Sequence, residues 1–118
     1  MALIVICIVL IVVAAIFGTV NFITRLAGGS PTRAIGYVHG AVATVSLLLV
    51  VISIRHSTAG PDWAFRLLVV AALAGFILFG IDLATKKAPT WLGFHHGAVA
   101  LAGFVFLLIF AFAGARAV

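Results

Sequence analysis

Four apolar stretches, each close to the length needed to cross a bilayer, leave this chain few folds to adopt. They cover residues 2–20, 34–54, 63–81 and 91–112. A hydrocarbon core about 30 Å thick takes roughly 20 residues of helix, and a helix crosses it alone because its backbone groups are satisfied within the segment. The stretches lack the polar–apolar alternation of a membrane β-barrel. With 66% hydrophobic and 8% charged residues among 118, the chain carries more apolar surface than one soluble core buries. The sequence therefore predicts a single all-α transmembrane domain over residues 1–118, an integral membrane four-helix bundle. The first stretch has no basic leader and exceeds a signal-peptide apolar region, so it reads as an uncleaved span.

Turn residues separate the stretches. Gly28-Gly29-Ser30-Pro31 breaks the first pair, with Ser30 and Pro31 expected as cap and first turn. Gly60-Pro61-Asp62 divides the halves, with Asp62 the expected N-cap, and Ala88-Pro89-Thr90 precedes the last span. Trp63, Trp91 and Tyr37 stand near span ends, where amphipathic rings favour the interface. The net charge of +5 arises from 7 Lys+Arg against 2 acidic residues. The cations are scattered singly at span ends, which excludes a nucleic-acid-binding stripe and reads as membrane anchoring. Arg25, Arg33, Lys86 and Lys87 gather at one face; Arg55, Arg66, Arg116 and the N-terminal amine gather at the other. Four side-chain cations against three place the first face in the cytoplasm and both termini outside, in a bacterial inner membrane. Asp62 and Asp82 lie on opposite faces, so paired-carboxylate chemistry is excluded. No phosphate loop or nucleophile elbow occurs. Cys7 has no partner for an internal disulfide and reads as a small lipid-facing or packing residue.

One motif occurs twice: GYVHGAVA from Gly36 and GFHHGAVA from Gly93. It places His39 and His96 57 positions apart (96 − 39), each just inside an apolar stretch. Pro31-Thr32 and Pro89-Thr90 precede the two copies. Further back, Phe17-Gly18, Asn21 and Thr24 match Phe79-Gly80, Asp82 and Thr85. The unit is a helical hairpin, repeated in tandem, which implies a pseudo-twofold axis along the membrane normal. Both histidines then lie at one depth near the face that carries Arg25, Arg33, Lys86 and Lys87.

An ionisable side chain inside a membrane span is a functional candidate. Two imidazoles from the second and fourth helices are the axial ligand set of a b-type haem, which also needs an apolar slot and cations for its propionates. Gly36, Gly40, Gly93 and Gly97 would leave room for the macrocycle, with Tyr37 and Phe94 lining the slot. Arg25, Arg33, Lys86 and Lys87 would meet the propionates. Asn21 or Asp82 would orient an imidazole as acceptor.

With four spans and ligand histidines on different helices beside small residues, the chain resembles small four-helix membrane b-type cytochromes, the cytochrome b561-like group. The resemblance implies haem b held by His39 and His96, and electron exchange with a quinone or a membrane redox protein. The pattern departs from that group at His56, which has no counterpart on the fourth helix, so one haem per chain is implied. A second reading keeps the glycines as small-residue packing motifs and the histidines as interhelical donors in an assembly module without cofactor. A third is a small transporter or proton relay using the histidines and Asp82. His95 points about 100° away from His96, and His56 reads as interfacial. No Cys/His cluster suits structural zinc. The small faces Ala14, Ala15, Gly18 and Ala71, Ala72, Gly75 make a homodimer the expected assembly.

Overall fold

A computed structural model describes residues 2–56 and 61–116 as four helices: α1 (Ala2–Leu26), α2 (Arg33–Arg55), α3 (Asp62–Thr85) and α4 (Thr90–Arg116). Each is long and apolar enough to cross a membrane. Gly60 and the N-terminal amine lie outside the described residues, as does the Arg116 side chain. Neighbours follow chain order around the bundle. The hairpins α1–α2 and α3–α4 pack most closely, and thinner seams run between α2 and α3 and between α4 and α1. The principal extents of 48 × 20 × 19 Å match a bundle standing upright in a bilayer.

The helices outrun the apolar stretches, most of all α1, which continues past Val20 to Leu26. The polar groups of that extension are satisfied locally. Thr24 Oγ1 donates to the Val20 carbonyl at 2.8 Å, as Thr85 Oγ1 does to Ile81 in α3. Gly28 then takes φ +80° and closes α1: Gly29 N–H reaches the Thr24 carbonyl at 2.9 Å and Gly28 N–H the Arg25 carbonyl at 3.0 Å. Two expected caps move. Thr32, not Ser30, precedes α2, in extended conformation, because the Asn21 amide grips its backbone on both sides at 3.1 and 3.2 Å. Asp62 is the first helical residue of α3, with Pro61 before it. Its carboxylate therefore lies in the first turn, where the helix dipole favours a negative charge.

The buried core lies at the end away from the histidines. Ile4, Cys7, Val50, Ala64 and Leu107 form it. Large side chains elsewhere, such as Leu48, Leu73, Leu101 and Phe112, point outward, as lipid contact requires. Cys7 is wholly enclosed, so it belongs to packing and not to the lipid face. Among the described residues Ser46 is the one buried polar side chain, and its Oγ donates to the Cys7 carbonyl at 3.0 Å. Removing donor and hydroxyl together leaves no orphaned side-chain atom. Ser46→Ala should therefore cost only about 1 kcal/mol, read from detergent unfolding curves.

The two hairpins superimpose on one spacing. Cys7 and Ala64, Ala14 and Ala71, Gly18 and Gly75, Phe22 and Phe79, Val50 and Leu107 all occupy matching places, at the interval that separates His39 from His96. The pairing of Phe17-Gly18 with Phe79-Gly80 expected from the sequence is thus replaced. Gly18 answers Gly75, and Arg25 answers Asp82, because these are the residues that make equivalent contacts to the histidines and to each other.

Candidate functional site

His39 and His96 are each the seventh residue of their helix, α2 and α4. Each reaches sideways within its own hairpin. His39 Nδ1 donates to the Ala14 carbonyl of α1 at 2.7 Å, and His96 Nδ1 donates to the Ala71 carbonyl of α3 at 2.8 Å. A carbonyl only accepts, so Nδ1 carries the proton toward it in both rings, and in the neutral imidazole Nε2 is the nitrogen with the lone pair. These carbonyls are accessible because the residue one turn further along is glycine. A helical carbonyl points toward residue i+4, whose side chain would normally cover it. A Cβ placed on Gly18 would fall 2.9 Å from His39 Cε1, and one on Gly75 would fall 2.9 Å from His96 Cε1. Ala-x-x-x-Gly in α1 and α3 is therefore a seat for an imidazole.

The two rings meet across the pseudo-twofold axis. Their centroids are 5.9 Å apart and their planes stand at 81°. Two aromatic contacts close the seams at this end of the bundle. Phe22 of α1 lies edge-on to Phe94 of α4 at 4.9 Å, and Phe79 of α3 lies edge-on to Tyr37 of α2 at 5.1 Å. The glycine before each motif histidine makes this approach possible. A Cβ on Gly93 would come within 2.8 Å of Phe22, and one on Gly36 within 3.3 Å of Phe79.

Nearer the interface, Arg25 of α1 reaches across the bundle. Its Nη2 meets Asp82 Oδ1 at 2.7 Å, and its Nη1 donates to the Ala88 carbonyl at 3.4 Å. Both side chains are only about one-fifth exposed, at 22% and 21%. The pair lies between equivalent positions of the two repeats, as the histidine pair does. Two polar layers thus lie on the axis, imidazole below and guanidinium–carboxylate above.

The structure redistributes several expected roles. Gly36 and Gly93 receive phenylalanine rings in the space assigned to a macrocycle, while Gly40 and Gly97 face nothing within 4 Å. Tyr37 and Phe94 lie outside the bundle, each 58% exposed, and cover those phenylalanines instead of lining a slot between the imidazoles. Arg25 is committed to Asp82, whereas Arg33, Lys86 and Lys87 are exposed at the same end. Neither Asn21 nor Asp82 touches an imidazole, because the first holds Thr32 and the second holds Arg25. The faces expected to serve dimerisation are largely used within the hairpins: Ala14 and Ala71 are buried and Gly18 and Gly75 support histidines. His95 turns away from the pair, bonds the Trp91 carbonyl of its own helix at 2.7 Å and stacks edge-on against Trp91. His56 caps α2 at the far end and is exposed. Sequence reasoning gave Ala14, Gly18, Ala71 and Gly75 to a dimer face instead of to the histidines, and gave Phe22 and Phe79 no role at the site. Their signal was present as Ala-Ala-x-x-Gly-x-x-x-Phe in both α1 and α3.

No family model matches this chain, and neither curated proteins nor solved structures include a significant match.

Proposed function

We propose that the chain is a small b-type cytochrome of a bacterial inner membrane. His39 and His96 hold one haem through Nε2, and electrons pass to or from a membrane-dissolved quinone or a membrane redox protein. The observation that carries this reading is the imidazole pair: two rings face each other on the axis, and both Nδ1 atoms are tethered so that Nε2 is the free nitrogen. The rings stand edge-on with centroids 5.9 Å apart, and each imidazole would offer its Nε2 to the haem iron.

The haem supplies reversible one-electron chemistry when bound. The chain's own residues do the rest. The Ala14 and Ala71 carbonyls lock tautomer and ring orientation and make each Nε2 a better donor. Phe22 and Phe79 fill the space beside Gly93 and Gly36, so admitting the macrocycle would swing both rings out of the seams they close. Arg33, Lys86 and Lys87 lie at the nearer interface, where carboxylates of the ligand would emerge. Arg25 contributes less than its charge implies, because Asp82 neutralises it. This end faces the cytoplasm in the same reading, with both termini outside.

The test is a visible spectrum. Protein purified from a haem-replete host should be red, with a Soret band that shifts on dithionite reduction. His39→Ala and His96→Ala should each abolish the band, and His95→Ala should leave it. Colourless wild-type protein overturns the proposal. One observation favours a second reading, the cofactor-free packing module. Each imidazole already fills a glycine seat and makes its hydrogen bond without any ligand. That reading requires haem-free wild-type protein and a folded, unimpaired His39→Gln variant.

A further inference from the structure

The end of the bundle remote from the histidines carries a charged cleft that the cytochrome reading does not use. It lies on the α2–α3 seam, has a volume of about 530 Å³, and is lined by Val51, Ile54, Arg55, Asp62, Phe65 and Arg66. The spacing explains the convergence. Val51, Ile54 and Arg55 stand at i, i+3 and i+4 on α2, and Asp62, Phe65 and Arg66 repeat that spacing on α3, so each helix turns one face to the seam. The duplication makes the cleft distinctive. At the equivalent positions of the other seam, Arg55, Asp62 and Arg66 are answered by Phe112, Val5 and Val9. One seam is charged and its counterpart is wholly apolar.

Depth orders the groups. α3 starts at this face, so Asp62 is outermost and Arg66 lies one turn, about 6 Å, further into the membrane. Arg66 is held at the interface by Trp63, its guanidinium carbon 5.7 Å from the ring centre. Arg55 ends α2 at the mouth of the cleft. Val51 and Phe65 provide apolar wall at about the depth of Arg66. The cleft thus has apolar wall and the Arg66 guanidinium on its membrane side, and Arg55 with the Asp62 carboxylate at its mouth.

A phospholipid presents acyl chain and phosphate on the membrane side and its headgroup amine outside, the arrangement of apolar wall with Arg66 and of Asp62 in this cleft. We infer that the α2–α3 cleft binds an aminophospholipid, with its acyl chain along Val51 and Phe65, its phosphate on Arg66 and Arg55, and its primary ammonium on Asp62. The charge pattern selects this occupant. Two guanidiniums alone would suit any phosphate headgroup, but the outer carboxylate repels a purely anionic one and finds no hydrogen-bond donor in a quaternary choline. The site is at the opposite end from the imidazole pair and stands whether or not haem is bound.

The experiment is native mass spectrometry of the full chain in detergent, with equimolar phosphatidylethanolamine, phosphatidylglycerol and phosphatidylcholine. Wild-type protein should retain phosphatidylethanolamine about tenfold over each of the other two, the factor expected of one charge-assisted hydrogen bond. Asp62→Asn should erase the preference over phosphatidylglycerol while phosphate-dependent retention persists. Arg66→Gln should weaken retention of all three lipids. Equal retention by the wild type, a preference for phosphatidylglycerol, or no response to Arg66→Gln overturns the assignment.

Discussion

Gly18→Leu is expected to cost about 3 kcal/mol of bundle stability, and Gly75→Leu about the same. Even a bare Cβ at either position falls 2.9 Å from an imidazole carbon, so the ring must leave its seat before any larger side chain fits. Displacing the ring breaks the Nδ1 bond to Ala14 or Ala71 and returns a polar nitrogen to apolar surroundings. Close helix approach is the main source of cohesion in lipid, where no hydrophobic force drives the helices together, so the loss is felt across the whole hairpin. Reversible detergent unfolding measures it; under the cytochrome proposal the Soret band should vanish in the same variants. Gly40→Ala is the control. Nothing lies within 4 Å of its Cβ position, and alanine is the better helix former. That variant should be as stable as wild type or slightly more so. Equal effects at Gly18 and Gly40 would show that the imidazole seat does not exist in the membrane.

The second large effect concerns the upper layer. Arg25→Asp sets two carboxylates against each other at a contact now spanning 2.7 Å and only about one-fifth exposed, at 22% and 21%. The expected loss is about 3 kcal/mol, tempered by the residual exposure. The exchange Arg25→Asp with Asp82→Arg should restore most of it. The two positions are equivalents of the repeat and meet across the axis, so each helix offers the incoming side chain nearly the same setting. Unfolding of both single variants and the double variant gives the coupling directly. Failure of the exchange to rescue would assign the importance of Arg25 to its bond with the Ala88 carbonyl instead. The pair also has a consequence for assembly. Two identical hairpins would bring like charges together at this point, whereas the diverged copies attract, so the contact favours pairing of the first hairpin with the second.

Composition and length were enough to establish four membrane-crossing helices in two hairpins, because a chain this apolar must face lipid and only helices satisfy their own backbone there. The doubled histidine motif was equally legible, as was the placement of both rings at one depth. Span limits were less so. Hydropathy stops at Val20, yet α1 continues to Leu26 because the Asn21, Thr24 and Arg25 side chains find partners that no window average can register. The roles of the glycines were misassigned for a related reason. Gly36 and Gly93 looked like space for a ligand, but which ring enters that space depends on a neighbour from the other hairpin, and the structure brings Phe79 and Phe22 there.

What the sequence determined by itself is the class of fold and the pair of imidazoles within it, since hydropathy and repetition are written in one dimension. What only the tertiary structure decided is how those imidazoles are held. The carbonyls of Ala14 and Ala71 belong to the backbone, which every residue shares, so no residue type announces them. They become hydrogen-bond acceptors for His39 and His96 only when Gly18 and Gly75 uncover them at a helix crossing.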